Sequence, residues 1–346
     1  MTHKVLILGN GFDLAVGRCT RYKDFYESQY CPKDYPASLI AFLNEKWGNH
    51  LEDVRWLDLE TALQEYAQNP SIDDYCTKKE KNFIERREYK NIHAGNPTDS
   101  IIVKDRIELC NTLLKKGILT QDSFCIISTT EKYEEFSKLT RQEREEKALK
   151  EIEDGLARYL NEIGEQSDKQ RSDAVNLLCE ILEYDNSSVY SFNYTKIGSL
   201  ITDDEEKIKE YDSKVQYIHG SLQEGHIIIG AKDGNYGNYD FIQKAFDEKY
   251  NSSSLLEEMQ MADEIIIYGH SLGDCDSQYF GPFFKSIVDG TQPKESKRKQ
   301  KITIYTYDLK SEIQIKKNLN ILTDWHLSWL YSKCDINIIK TKQEPR

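Results

Sequence analysis

Short and nearly unbroken apolar runs recur along the chain, each bounded by Gly, Asp or Asn: Val5–Leu8, Ser188–Phe192, Val215–Ile218, Ile227–Ile229, Ile265–Tyr268, Ile302–Tyr307 and Ile336–Ile339. Runs this short, without alternation, suit strands buried on both faces, as in a parallel sheet covered by helices. Between them the apolar positions switch to three- and four-residue steps. Trp56, Leu59, Leu63 and Tyr66 make one stripe, and Val175, Leu178, Ile181 and Leu182 another. Leu149, Ile152, Leu156, Tyr159, Leu160 and Ile163 make a third, within a charged segment. Each stripe is the mark of an amphipathic helix. Strand alternating with helix predicts an α/β fold with a mostly parallel sheet flanked by helices.

One strand opens the chain, and the next clear run starts only at Ser188. The expected organisation is therefore a sheet domain built from 1–69 and 186–346, with a large, mainly helical insertion over 70–185. Residues 78–90 interleave both charge signs with Phe83, Ile84 and Tyr89, as a solvated helix face does. The one mainly basic cluster, 294–301, falls between two elements and is expected to be a surface loop.

Composition narrows the function. With 46 Lys and Arg against 59 Asp and Glu, the net charge is −13. Such a surface repels polyanions, so direct nucleic-acid binding is not expected. No run approaches the roughly 20 apolar residues of a membrane span. The opening apolar stretch is too short for a signal peptide. Eight cysteines, with no CxxC pair, read as free thiols in a cytosolic protein.

In a parallel sheet, ligands gather beyond the carboxyl ends of the strands, so the residues following each run matter most. After Val5–Leu8 come Gly9, Asn10, Gly11, Phe12 and Asp13. The glycines would permit a tight turn and close approach to a phosphate. Leu14 replaces the third glycine of the dinucleotide fingerprint. Asp13 would suit a ribose hydroxyl or a positioned water, or simply cap a helix. Asn193 follows the second run and His219 the third, an amide and an imidazole able to converge on one edge. Histidine is the side chain best suited to move a proton near neutral pH. No cysteine or carboxylate stands at zinc-ligand spacing from it, so no metal is expected.

After Ile265–Tyr268 comes Gly269-His270-Ser271-Leu272-Gly273, which fits the GxSxG elbow of α/β-hydrolases, and then Asp274-Cys275-Asp276. A triad could be written as Ser271, Asp308 and His326, in the chain order that such enzymes use. The polar residues after the elbow fit that enzyme class poorly, and the Gly9–Asp13 turn would have no role. A serine hydrolase and a non-catalytic nucleotide-sensing module are the alternatives to an enzyme acting on a bound nucleotide.

Taken together, GNGFDLAVG, SFNYT, IHGSL and GHSLGDCDSQYF resemble the bacteriophage abortive infection (AbiH) family, over residues 1–66, 188–230 and about 263–284. More distantly, the order of these motifs is similar to sirtuin-like, Rossmann-like NAD-binding domains. That resemblance implies contacts to the cofactor's pyrophosphate and ribose from Gly9, Asn10, Gly11, Phe12 and Asp13. It implies Asn193 beside the nicotinamide ribose, His219 as catalytic base, and Gly269, His270, Ser271 and Asp276 near the cofactor. The zinc module and the long glycine-alanine-glycine loop of deacylating sirtuins are missing, which points to NAD hydrolysis, with NAD as substrate or ligand and no permanently bound cofactor. A role in phage defence follows from the AbiH resemblance, and neither the phage trigger nor homo-oligomer formation can be read from the residues.

Overall fold

Val5, Leu6 and Ile7 expose no surface at all. Their strand lies mid-sheet, with strands on either side and apolar clusters on both faces. The computed structural model describes residues 2–35, 37–48, 58–69, 71–79, 139–165, 172–250, 254–292 and 299–341. Trp56, Cys110, Cys125, most of 78–90 and most of the basic cluster 294–301 lie outside the described residues.

The six strands of the main sheet are β1 (Lys4–Leu8), β2 (Ser187–Ser191), β3 (Val215–Tyr217), β6 (Glu264–Tyr268), β7 (Lys301–Thr306) and β8 (Asp335–Lys340). All pair in parallel, in the order β3-β2-β1-β6-β7-β8. This is the doubly wound, Rossmann-like α/β arrangement, and the winding reverses between β1 and β6. Alternate residues serve opposite faces. Val5, Ile7, Ile265 and Ile267 join Phe280, Phe283 and Phe284 on one side. Leu6, Leu8, Ile266 and Tyr268 join Ala174, Val175, Leu178 and Ile181 on the other. The edge strand β8 departs from the expectation of burial on both faces. It pairs only with β7, and Ile339 is 41% exposed.

The run Ile227–Ile229 also behaves differently from its reading as a sheet strand. Residues His226–Ile227 form β5, paired antiparallel with β4 (Gly220–Ser221) in a separate hairpin. A parallel return needs a dozen or more connecting residues, and the link from β3 is too short for one.

The helices are α1 (Asn10–Ala15), α2 (Tyr22–Glu27), α3 (Ser38–Trp47), α4 (Leu59–Ala67), α5 (Arg141–Glu165), α6 (Asp173–Leu182), α7 (Gly198–Ile201), α8 (Glu205–Ser213), α9 (Leu255–Met261), α10 (Ser277–Asp289), α11 (Leu309–Leu322) and α12 (Leu327–Lys333). The stripe on α5 is buried where expected. Leu149, Ile152, Leu156 and Leu160 share a third apolar cluster with residues of α2, α3, α4 and the hairpin region. Helix α6, within the span read as an insertion, lies against β1 and β2 instead. No helix among the described residues is long and apolar enough to cross a membrane.

Candidate functional site

The turn after β1 and the turn after β6 flank the point where the sheet reverses its winding, the usual ligand crevice of such sheets. A cavity of about 740 Å³ opens there. That is within the roughly 300–1,000 Å³ range of small-molecule sites. Asn10, Gly11, Asp13, Asn193, His219, Gly269, His270, Ser271 and Asp276 all line it. Gly9 and Phe12 do not. Phe12 is buried in the sheet core, edge-on to Tyr268 at 5.9 Å. A smaller cavity of about 520 Å³, beside α5, contains none of the motif residues.

The glycines have a use that sequence reasoning did not foresee. A Cβ on Gly9 would stand 2.6 Å from the His270 Cα, and one on Gly11 2.7 Å from the Gly269 Cα. Gly269 has φ +67°, and a Cβ there would lie 2.4 Å from the Phe12 nitrogen. The two turns are thus pressed together backbone to backbone. Gly9 N–H donates to the Tyr268 carbonyl at 2.9 Å, Gly11 N–H to the Gly269 carbonyl at 2.8 Å, and Phe12 N–H to Gly9 at 2.8 Å. Three donors that a phosphate cradle would offer are therefore already engaged.

Asp13 is not a helix cap. Helix α1 starts at Asn10 with Gly9 at the cap, placing Asp13 inside the first turn. Its carboxylate is 1% exposed and meets Arg18 at 3.2 Å and the Thr195 hydroxyl, which donates to it at 2.6 Å. Burial raises its pKa while Arg18 opposes the rise. Asn193 ties β2 to β1: its Nδ2 donates to the Gly9 carbonyl at 3.0 Å, and its backbone N–H to Ser191 Oγ at 3.1 Å.

His219 stands 3% exposed, edge-on to Phe192 at 5.3 Å. Its Nε2 has no hydrogen-bond partner and lies 3.6 Å from Asp276 Oδ1. Burial, reinforced by the nearby Lys244 ammonium, lowers its pKa to about 3, so the ring is uncharged at neutral pH. His270 Nδ1 accepts from the Leu272 N–H at 2.9 Å. In the neutral ring the proton must then sit on Nε2, which faces Asp276 Oδ2 at 3.2 Å.

Two further residues complete this network. Lys244, 1% exposed, donates to Glu60 Oε2 at 2.9 Å and to Asp276 Oδ1 at 3.0 Å. Burial disfavours both the ammonium and the carboxylates, but the pairing prevails: Lys244 is held above its ordinary pKa and Asp276 below its own. Glu60, the less favoured of the two acids, is pushed up by burial to about 8. Sequence reasoning passed over both Glu60 and Lys244. The one available hint was a lysine among apolar neighbours in FIQKAF.

The hydrolase alternative does not assemble. In a nucleophile elbow the serine occupies a strained turn leading directly into a helix. Here Leu272, not Ser271, takes the left-handed conformation (φ 53°), and α10 begins only at Ser277. Asp308 lines the cavity and caps α11 through the Ser311 N–H at 2.7 Å. His326 is not on the cavity wall; its Nδ1 sits 3.2 Å from the Thr323 carbonyl.

A family model described as bacteriophage abortive infection AbiH matches residues 5–292. The chain belongs to the AbiH family. Membership supports a role in abortive infection against phage. Asn193, His219, Lys244 and both glycine-bearing turns of this AbiH protein fall within the matched span, whereas β7, β8, α11 and α12 lie beyond it. No curated protein and no solved structure matches the chain.

Proposed function

We propose that this AbiH protein binds NAD or a closely related nucleotide in the switch-point cavity and hydrolyses the nicotinamide–ribose bond. The observation that carries this reading is His219: a buried, uncharged imidazole on the wall of a ligand-sized cavity beside the Asp276 carboxylate.

The chemistry needs little else. As the C1′–N bond lengthens, its electron pair moves onto the pyridinium nitrogen, and positive charge develops on the ribose. Nicotinamide leaves neutral and needs no acid. Water adds to C1′ and releases a proton, so the products are nicotinamide, ADP-ribose and H⁺. Asp58 and Asp276 stand on the cavity wall, both close to Glu60. Their negative potential favours a cationic ribosyl group most strongly at the transition state. With Nε2–H directed toward Asp276, His219 keeps Nδ1 as an acceptor for the water proton. Asn193 Oδ1, which accepts no hydrogen bond from any described residue, is available to a ribose hydroxyl. Lys310, in the first turn of α11 and also on the cavity wall, offers a cation to the diphosphate. The engaged amides of the Gly9–Phe12 turn assign that turn to shaping the crevice and leave the phosphates to other groups.

Incubation of the purified protein with NAD, followed by chromatography, tests the reading by the appearance of nicotinamide and ADP-ribose. His219→Asn and Asn193→Ala should fold normally and lose at least ~10²-fold in turnover. Undiminished hydrolysis in both variants, or calorimetry showing no binding of NAD or ADP-ribose, would overturn it.

A further inference from the structure

Glu60, Lys244 and Asp276 come from three separate parts of the fold. Glu60 is in the first turn of α4 and belongs to the helical layer. Lys244 opens the short 3₁₀ turn Lys244–Phe246 beyond the hairpin. Asp276 closes the loop after β6. They meet at the Lys244 ammonium, whose side chain is wholly buried. The Asp276 carboxylate beyond it is shared between two imidazoles, Oδ1 facing His219 and Oδ2 facing His270. A buried lysine is costly to desolvate, and hydrophobic residues of similar volume often replace such clusters without loss of stability. Its presence directly behind the cavity wall suggests a use other than folding.

We infer that Lys244 is a positioning residue of this site: anchored by Glu60, its ammonium fixes the Asp276 carboxylate where both histidines face it and sets the electrostatic balance at His219. This rests on the proposed NAD reading only for the reaction the site performs. The groups facing His219 are Lys244 from the 3₁₀ turn, Asp276 and His270 from the loop after β6, and the Tyr279 phenol of α10, with ring centroids 5.7 Å apart. Tyr279 stays neutral because burial raises its pKa. Lys244 and Asp276 thus oppose one another at the imidazole, Lys244 favouring the neutral ring and Asp276 the charged one. The carboxylate is placed close enough to orient a neutral ring, and burial first, with the ammonium adding to it, prevents the carboxylate from charging that ring. An acceptor for a proton is thereby kept ready.

The test is titration of ¹³C-histidine-labelled protein by NMR without nucleotide, with the His219 signal assigned by its loss in His219→Asn. In the wild type His219 should stay uncharged down to pH 5. Glu60→Gln, which keeps Lys244, should leave it so. In the pair Glu60→Gln/Lys244→Met the ammonium is gone, while Glu60, pushed up to about 8, already carries its proton below neutral pH; there the midpoint should climb by about 2 units, the size expected when a carboxylate acts unopposed. The acid limb of the pH–rate profile for NAD cleavage should move with it, a change that a purely structural lysine would not produce. A folded double variant whose His219 midpoint equals that of Glu60→Gln overturns the inference. So does a wild-type His219 that titrates at the ordinary histidine value, a result that does not require any variant to fold. Absence of NAD cleavage alongside the expected titrations would overturn the reaction and leave the role of Lys244 standing.

Discussion

Replacing Gly269 by alanine should separate the two turns that build the crevice. Two costs are distinct. The first is conformational: at φ +67° an L-residue costs roughly 1–2 kcal/mol. The second is collision. The new Cβ would lie 2.4 Å from Phe12 N, 2.5 Å from Gly11 C and 2.6 Å from Gly11 Cα, all backbone atoms unable to rotate away. Restoring van der Waals contact requires the turns to part by about 1 Å. The 2.8 Å bond from Gly11 N–H to the Gly269 carbonyl would then be lost, leaving a buried donor unpaired at about 1–3 kcal/mol. Overpacking adds a comparable amount. Gly225 supplies a matched control, with the same φ of +67° and nothing within 4 Å of its added Cβ. Gly225→Ala should therefore cost only the conformational part. The prediction is a gap of about 2–6 kcal/mol between the two variants, read from urea unfolding followed by tryptophan fluorescence, with each m-value measured. Equal losses would refute the argument that these glycines exist for turn-to-turn contact.

Arg18→Met should destabilise by about 3–5 kcal/mol because it strands the Asp13 carboxylate in the core; adding Asp13→Asn should recover much of that in thermal melts. Stability should fall as pH rises from about 6.5 to 8, because folded Glu60, pushed up to about 8 from an ordinary 4.5, retains a proton that the unfolded chain has released. His219 works in the opposite sense, its lowered pKa adding stability as pH rises toward 6.5, and it contributes no further change above that value. Glu60→Gln should remove the fall, which is at most about 1.4 kcal/mol per pH unit, in unfolding measurements across that window. A fluorophosphonate probe should not label Ser271; labelling would restore the hydrolase alternative.

The sheet was legible because parallel strands buried on both faces read as continuous apolar runs, and six of the seven runs are its strands. Ile227–Ile229 reads the same way, since an apolar run reports burial and says nothing about what it pairs with; only the shortness of its link to β3 requires a hairpin. Asn193, His219 and the two turns could be found because a doubly wound sheet delivers strand-end residues to a single rim, whatever lies between them in the chain. The purpose of the glycines could not be found that way. A close approach to phosphate and a close approach to another backbone make the same demand on sequence, and only the position of Gly269 distinguishes them. Lys244 was further out of reach. A lone lysine reads as surface, and its burial depends on an acid in the helical layer and another beyond β6. Its signature is thus a property of three distant segments at once. The residues that position the chemistry here are the ones whose charge is balanced only after the helical layer has docked against the carboxyl edge of the sheet. Completion of the site is thereby tied to assembly of both halves of the molecule.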